Sequence, residues 1–429
     1  MIKRPFFGSG KPKLQYSEIK NIEEKDVKEI PFSTRVTLMH KSPEGDPAGE
    51  LVLSIGDEVR TGQRLSLHEL GEEYLTSTAT GTITDISHTT EYTGHIFTSV
   101  SIEAKSKDLW DDEFEKTGKD ADLKSALPFL SCLPGIFDLA PLIKPDNPLN
   151  TIIINGLDRD LLIATNQIIV KTEAEHLAEG IEYLKKITGA GRVIFVVPPS
   201  LRTEAEKSGA EVKVIEPDYP DAAPGLLMQK VLDNPVSPEK TFEDLGVGFI
   251  SPEAVVALRT AFVEGKLPVT KVLTVIDKDN RLTCVKARIG TPVRDILSAL
   301  NIDVSHGDRL VFGGPMSGQS IYSEDMPIQH DTNAIMVQDK SRVIPSGNDP
   351  CINCGECVRA CPAKIPVNML IRLLENGLYE EAAQDYDLLS CVECGLCSYV
   401  CEMRIPISHY IMLGKHELPL TEGLEESNE

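Results

Sequence analysis

No stretch of this 429-residue chain holds 18 consecutive apolar residues, so the sequence offers no candidate membrane-spanning helix. Its opening, Met1-Ile2-Lys3-Arg4-Pro5-Phe6-Phe7, lacks the apolar core of a signal peptide, and the expected location is cytoplasmic. Aromatic residues are scarce, at 5% with one tryptophan. Basic residues are outnumbered: 43 Lys and Arg stand against 66 Asp and Glu, a formal charge of −23. An acidic surface of that size repels phosphate backbones, which excludes nucleic acid as a partner and leaves basic protein faces open. The nine histidines are scattered without ligand spacing, and His95, His176 and His306 read as surface or capping residues. No Ser–His–Asp set and no paired carboxylates can be argued, so no catalytic residue is expected. What remains, 41% apolar and 25% charged, is the composition of a folded protein, with length for about three or four domains.

Cysteine is where the sequence speaks. Eight of ten cysteines lie between Cys351 and Cys401. A secreted disulfide scaffold is shorter and more evenly cysteine-rich, so the clustering points to metal in a reducing compartment. Cys132 and Cys284 stand apart and read as small core residues. The eight form two runs of one spacing, Cys351-x-x-Cys354-x-x-Cys357-x-x-x-Cys361-Pro362 and Cys391-x-x-Cys394-x-x-Cys397-x-x-x-Cys401. This is the spacing of two-cluster bacterial ferredoxins, in which three cysteines of a run wrap one cubane and the fourth reaches the other. It predicts two [4Fe–4S] clusters, one on Cys351, Cys354, Cys357 and Cys401, the second on Cys391, Cys394, Cys397 and Cys361. Zinc is the alternative, but it favours two CxxC pairs set far apart in sequence. Gly355 and Gly395 mark the tight middle turns, where a Cβ would crowd a cluster. Glu402 stands where the first run has Pro362, which puts a carboxylate near one cluster and lowers its potential. Between the runs, 367–385 reads as helix, with Met369, Leu370, Leu373 and Leu374 on its apolar face and a bend at 375–377.

Upstream, the pattern changes several times. Residues 1–30 lack periodicity and read as an extended arm. From 31 to 104 short strands (35–39, 51–55, 82–86 and 99–102) alternate with turn glycines, an all-β domain. Charged residues 105–122 read as a linker. In 123–265 the apolar run Thr151-Ile152-Ile153-Ile154-Asn155-Gly156 reads as a strand. A helix is predicted over 171–188 with Leu177, Ile181, Leu184 and Ile187 on one face, then strands at 193–197 and 211–215. That is a βαβ pattern, hence an α/β sheet of Rossmann type. Residues 266–340 read as a hairpin (271–276 and 283–287), a helix opened by Thr291 as cap and Pro292, and a strand at 310–312, a small β-grasp module. The loop Gly313-Gly314-Pro315-Met316-Ser317-Gly318 reads as a loop of that module, since it has no Walker lysine and no GxGxxG spacing. The cysteine domain spans 345–415, and 416–429 reads as a solvated, frayed acidic tail. The fold class expected is multidomain, α+β and α/β.

Two resemblances follow from these residues. Ile55-Gly56-Asp57-Glu58-Val59, Gly62-Gln63 and Ala79-Thr80-Gly81-Thr82-Ile83 resemble a biotinyl/lipoyl-like hammerhead, with no lysine between them to carry a prosthetic group. The whole order of modules resembles RnfC, the peripheral subunit of the Rnf electron-transport complexes. The cysteine runs, Phe312–Gly318, Thr151–Gly156 and Tyr219-Pro220 are its landmarks. The α/β part and the β-grasp part, then of SLBB type, are similar to the NADH-binding flavoprotein subunit of respiratory complex I. The resemblance implies electron transfer between a soluble donor and membrane-bound subunits, at the inner face of the cell membrane, without independent substrate chemistry. It also implies FMN and NADH in the α/β domain, held by a glycine-rich loop. Here that loop reads Ser131-Cys132-Leu133-Pro134-Gly135-Ile136-Phe137-Asp138. Leu157-Asp158-Arg159-Asp160 follows Asn155-Gly156, and Asp221-Ala222-Ala223-Pro224-Gly225 follows Tyr-Pro. With one glycine left in the loop, the expectation is that neither FMN nor NADH binds well. A flavin-containing NADH:acceptor oxidoreductase and a soluble ferredoxin-like adaptor are the rival readings.

Overall fold

The computed structural model describes residues 12–17, 26–41, 51–68, 74–90, 96–117, 130, 133–135, 149–234, 236–237, 240–347 and 349–426. Cys132, His95, Ile136, Phe137 and Asp138 lie outside them. The chain is a mixed α/β protein built on several sheets and a helical cysteine-rich C-terminal part.

Thr151–Asn155 lies at the interior of a four-stranded, all-parallel sheet in the order Glu211–Val214, Arg192–Val197, Thr151–Asn155, Val247–Ile250. Both faces of a parallel sheet are covered, and Ile152, Ile153 and Ile154 are accordingly all buried. Helices Ala174–Thr188 and Pro252–Glu264 cover one face. They approach closely at Gly180, where a Cβ would stand 2.6 Å from the Val255 carbonyl oxygen. Helix Pro224–Leu232 contributes to the other face, and there Ala360, Leu396 and Val400 of the cysteine-rich part join the same core. The predicted helix over 171–188 is two helices, Thr165–Thr172 and Ala174–Thr188, broken at Glu173.

A six-stranded sheet runs in the order Lys28–Glu29, Leu282–Arg288, Thr270–Ile276, Ala334–Gln338, Arg309–Phe312, Gln319–Ile321. The arm therefore supplies an edge strand, parallel to Leu282–Arg288. Helix Val293–Ala299 packs on this sheet through Val293, Ile296 and Leu297. Its cap position is Pro292, and no side chain caps it; Thr291 is buried one residue earlier. Cys284 is a buried residue, as expected.

The N-terminal β part pairs Arg35–Lys41, Ile96–Ala104, Gly81–Thr90 and Glu58–Val59 in that order. The predicted strand at 51–55 is absent: Leu51 makes one isolated bridge to His68. Segment 105–117 is charged yet docked. Asp108 takes both a Thr61 hydroxyl and the Arg288 guanidinium, and Phe114 enters the core of the parallel-sheet domain.

In the cysteine-rich part, helices Val367–Leu374 and Tyr379–Tyr386 separate the two runs. The buried face is Val367, Leu370, Ile371 and Leu374, an i, i+3, i+4, i+7 stripe turned by about one position from the sequence reading. As far as residue 426 the acidic tail is helical and not frayed. Helix Ile407–Glu426 continues through the acidic segment, past Pro419, with Leu418 buried along it.

Candidate functional site

The two cysteine runs are alike beyond their cysteines. Residues 351–376 match 391–416 at a constant offset of 40, giving Gly355/Gly395, Ile365/Ile405, Pro366/Pro406 and Ile371/Ile411. The backbone repeats too. Asn353 and Glu393 have φ of +56° and +54°, Lys364 and Arg404 +60° and +55°, Gly355 and Gly395 +74° and +70°. In each run the left-handed residue aims its N–H at the sulfur two positions back, Asn353 at Cys351 and Glu393 at Cys391, both 3.4 Å. Each left-handed glycine then starts a short helix, Glu356–Ala360 or Leu396–Tyr399. The positive φ alone accounts for glycine at both turns. Gly395 has a second reason, since a Cβ there would sit 2.2 Å from the Met316 carbonyl oxygen.

This repeat brings the eight thiols together in two sets. Cys351, Cys354, Cys357 and Cys401 line one recess with Ile371 and Ile407. Cys361, Cys391, Cys394 and Cys397 line the other with Val367 and Ile411. The linings correspond at eleven positions under the offset of 40, with the fourth cysteine exchanged between runs. Among the described residues, no group of three or more His, Cys, Asp or Glu side chains is arranged to hold a single metal ion. The two recesses that the thiols line are apolar. Burial pushes the thiol of Cys394 up to about 12 and that of Cys357 to about 11, with neighbouring sulfurs adding to the shift. Thiols raised in this way become thiolates only against a strongly cationic core. Sulfur donors, apolar walls and N–H groups aimed at sulfur fit a [4Fe–4S] cluster in each recess.

The second recess is docked on the parallel-sheet domain. The Tyr219 hydroxyl donates to the Cys394 carbonyl at 2.6 Å. Met316, which touches Gly395, belongs to the Gly313–Gly318 loop, and that loop is wrapped around Asp160. The Asp160 carboxylate accepts from the N–H groups of Met316 and Ser317 and from the Ser317 hydroxyl at 2.7–3.2 Å. Gly314 is required there, because a Cβ would meet Asp160 Cγ at 2.6 Å. The loop is thus a clamp between domains, which its sequence alone did not indicate.

The residues near Asn155-Gly156 are equally engaged. Asn155 donates to the Ala222 carbonyl at 3.0 Å. Asp158, fully buried, accepts from Asn166 N–H and Gln167 Nε2 at 2.8 and 2.9 Å, and burial raises its carboxyl to about 6. Tyr16 of the arm is 4% exposed. Its ring meets Tyr219 edge-on at 5.4 Å, and its hydroxyl accepts from Ala222 N–H. Of the loop 131–138, Leu133 is buried in the core of the parallel-sheet domain, and Gly135 donates its N–H to the His330 carbonyl at 2.8 Å.

Residues 345–402 match the family model of the 4Fe-4S dicluster domain. The C subunit of the ion-translocating oxidoreductase complex of Pectobacterium carotovorum subsp. carotovorum is 27% identical over 385 residues, 84% of this chain and 51% of that protein. Its counterpart in Pectobacterium atrosepticum is 27% identical over 365 residues, 80% of this chain and 52% of that one. The chain therefore spans about half the length of these relatives. The C subunit of the proton-translocating ferredoxin:NAD(+) oxidoreductase complex of Clostridium ljungdahlii is 25% identical over 389 residues, covering 85% of this chain and 84% of that protein. Among solved structures, a chain of an NAD+-reducing [NiFe]-hydrogenase in the H2-reduced state aligns at a TM-score of 0.46 and 14% identity, over 72% of this chain and 62% of that one, a level that carries no argument. Along most of its length the chain is similar to the C subunits of ion-translocating oxidoreductase complexes, and its cysteine-rich part matches a 4Fe-4S dicluster domain.

Proposed function

We propose that the chain is an electron-transfer subunit that passes single electrons through two [4Fe–4S] clusters, between a soluble donor and a membrane-bound redox complex. The observation that carries this is the gathering of eight cysteines into two sets of four, with the fourth ligand exchanged between runs. Cys351, Cys354, Cys357 and Cys401 hold the first cluster, and Cys391, Cys394, Cys397 and Cys361 the second. The clusters supply one-electron chemistry with little reorganisation. The protein's own residues hold the sulfurs, aim N–H groups at them and dock the second recess on the parallel-sheet domain. No substrate chemistry of its own is assigned to the chain.

The names of the relatives support the partners: subunits of an ion-translocating complex, and for the C. ljungdahlii protein ferredoxin and NAD(+). Among the described residues no helix is long and apolar enough to cross a membrane, and a peripheral position on the cytoplasmic face of such a complex accords with that. In the same reading the β part at 31–104 is a hammerhead, 123–265 is the flavoprotein-like α/β domain, and 266–340 an SLBB-type β-grasp module. Anaerobic purification followed by iron, sulfide and flavin analysis and EPR tests the proposal. About eight irons per chain are expected. Stoichiometric zinc without iron would sink it.

A further inference from the structure

We infer that the open face of the first cysteine run, centred on Ile352 beside Cys354, is an electron port that docks a one-electron carrier protein with a basic face. The inference rests on the electron-transfer reading above and adds the place and the chemistry of the contact.

The internal repeat supplies the argument. Each run presents an equivalent face, made by the residue after its first cysteine, the carbonyl of its second cysteine and the glycine that follows. In the second run this face is an interface within the chain. Val392 lies 3.5 Å from where a Cβ on Gly225 would stand. The Cys394 carbonyl takes the Tyr219 hydroxyl, and Gly395 is pressed on Met316. In the first run the same three positions meet no other domain among the described residues. Ile352 is 59% exposed and Cys354 is exposed. The Cys354 carbonyl accepts from Arg359 of its own helix. A Cβ on Gly355 would meet only that arginine within 4 Å. A surface that is a protein contact in one copy of the repeat is left uncovered in the other, with an isoleucine at its centre.

Charge selects the partner. Where the second recess is lined by Leu396 and Pro362, the first has Glu356 and Glu402, and no cationic side chain among the described residues lines it. Glu356 is paired with Arg359, while Glu402 is exposed, as is Asp349 nearby in the chain. An exposed apolar centre with acidic neighbours fits a carrier that presents basic residues around its own redox centre, and such pairs associate faster at low salt.

The test uses the full chain with both clusters, reduced anaerobically and mixed in stopped flow with a basic c-type cytochrome as probe. Ile352→Arg is expected to lower the second-order rate roughly tenfold at low salt, and Glu402→Gln to flatten its salt dependence. In Ile352→Arg, oxidation by a small neutral quinone, the iron content and the EPR signals stay as in the parent chain. Tyr322→Arg, at an exposed position on the six-stranded sheet side, leaves the cytochrome rate unchanged. A parent-like rate in Ile352→Arg overturns the port. So does an equal loss with the quinone, which would mean a damaged cluster. So does a dimer in sedimentation that Ile352→Arg dissolves, which would give the face to a second copy. Parent protein without iron overturns the electron-transfer reading itself, and is seen before any variant is made.

Discussion

The hydroxyl of Tyr219 and the carbonyl oxygen of Cys394 stand 2.6 Å apart, joining the parallel-sheet domain to a turn that lines the second cysteine recess. The bond lies beside the edge-on contact of Tyr219 with Tyr16, so the arm, the sheet domain and the cysteine domain meet at one point.

Tyr219→Phe keeps the ring and removes the donor. The Cys394 carbonyl then loses a partner in a largely buried place, at a cost of about 1 kcal/mol. The denaturation midpoint of the cluster-loaded protein is expected to fall, with iron content retained. An unchanged midpoint would mean that water or another donor replaces the hydroxyl.

Exchange of the fourth ligand gives a sharper test. Cys361 lines the recess of Cys391, Cys394 and Cys397, and Cys401 lines that of Cys351, Cys354 and Cys357. Cys361→Ser should therefore damage the cluster of the second run, and Cys401→Ser that of the first. The two sites differ in exposure, so EPR spectra of the two variants should each retain a different signal. If each variant lost the cluster of its own run, the assignment would be reversed.

Lys415 bears on the potentials. Its ammonium donates to the Cys391 carbonyl at 2.7 Å and to Glu393 at 2.8 Å, with the side chain 20% exposed. The equivalent position in the first run is Glu375. A reduced cluster carries one more negative charge, which a nearby cation favours, most strongly where water is excluded. Lys415→Met also leaves Glu393 without this partner. The expected outcome is a more negative midpoint for one of the two clusters in an EPR-monitored titration, the other staying in place. Equal displacement of both would point to a general loosening of the domain.

How much of this was legible in the sequence follows from range. The cysteine spacing is a local rule, so the two runs and their turns could be read directly. Strands such as Arg192–Val197 and Arg309–Phe312 were readable for the same reason, as apolar runs bounded by turn residues. The break at Glu173 and the rotated face of Val367–Leu374 depend on what the helices pack against, which periodicity does not encode. The clamp between Asp160 and Ser317 spans 157 positions, and neither residue marks the other. The full repeat of 351–376 in 391–416 is written in the sequence, but its matches outside the cysteines are few and widely spaced. The shared left-handed turns make it plain, and they expose the asymmetry between Ile352 and Val392.

In a doubly wound parallel sheet, ligands bind outside the carboxyl ends of the strands, where backbone N–H groups can meet a phosphate. Here that end carries Asn155, Asp158 and Asp160, whose side chains are spent on Ala222, on Asn166 and Gln167, and on the Met316–Ser317 turn. The Tyr16 ring lies buried against Tyr219 at the same end, near both aspartates. The loop that resembles a phosphate cradle has Leu133 in the core, and the Gly135 N–H is given to His330. A phosphate would have to displace these bonds, and two nearby buried carboxylates repel it further. Titration with FMN and with NADH, followed by fluorescence and calorimetry, is expected to show no micromolar binding of either. Deleting the arm through Ser17 removes Tyr16 and tests whether the ring is the obstacle. Binding gained by that deletion would make the arm a plug. Micromolar binding of both ligands by the intact chain, with cluster reduction by NADH, would make this protein an NADH oxidoreductase.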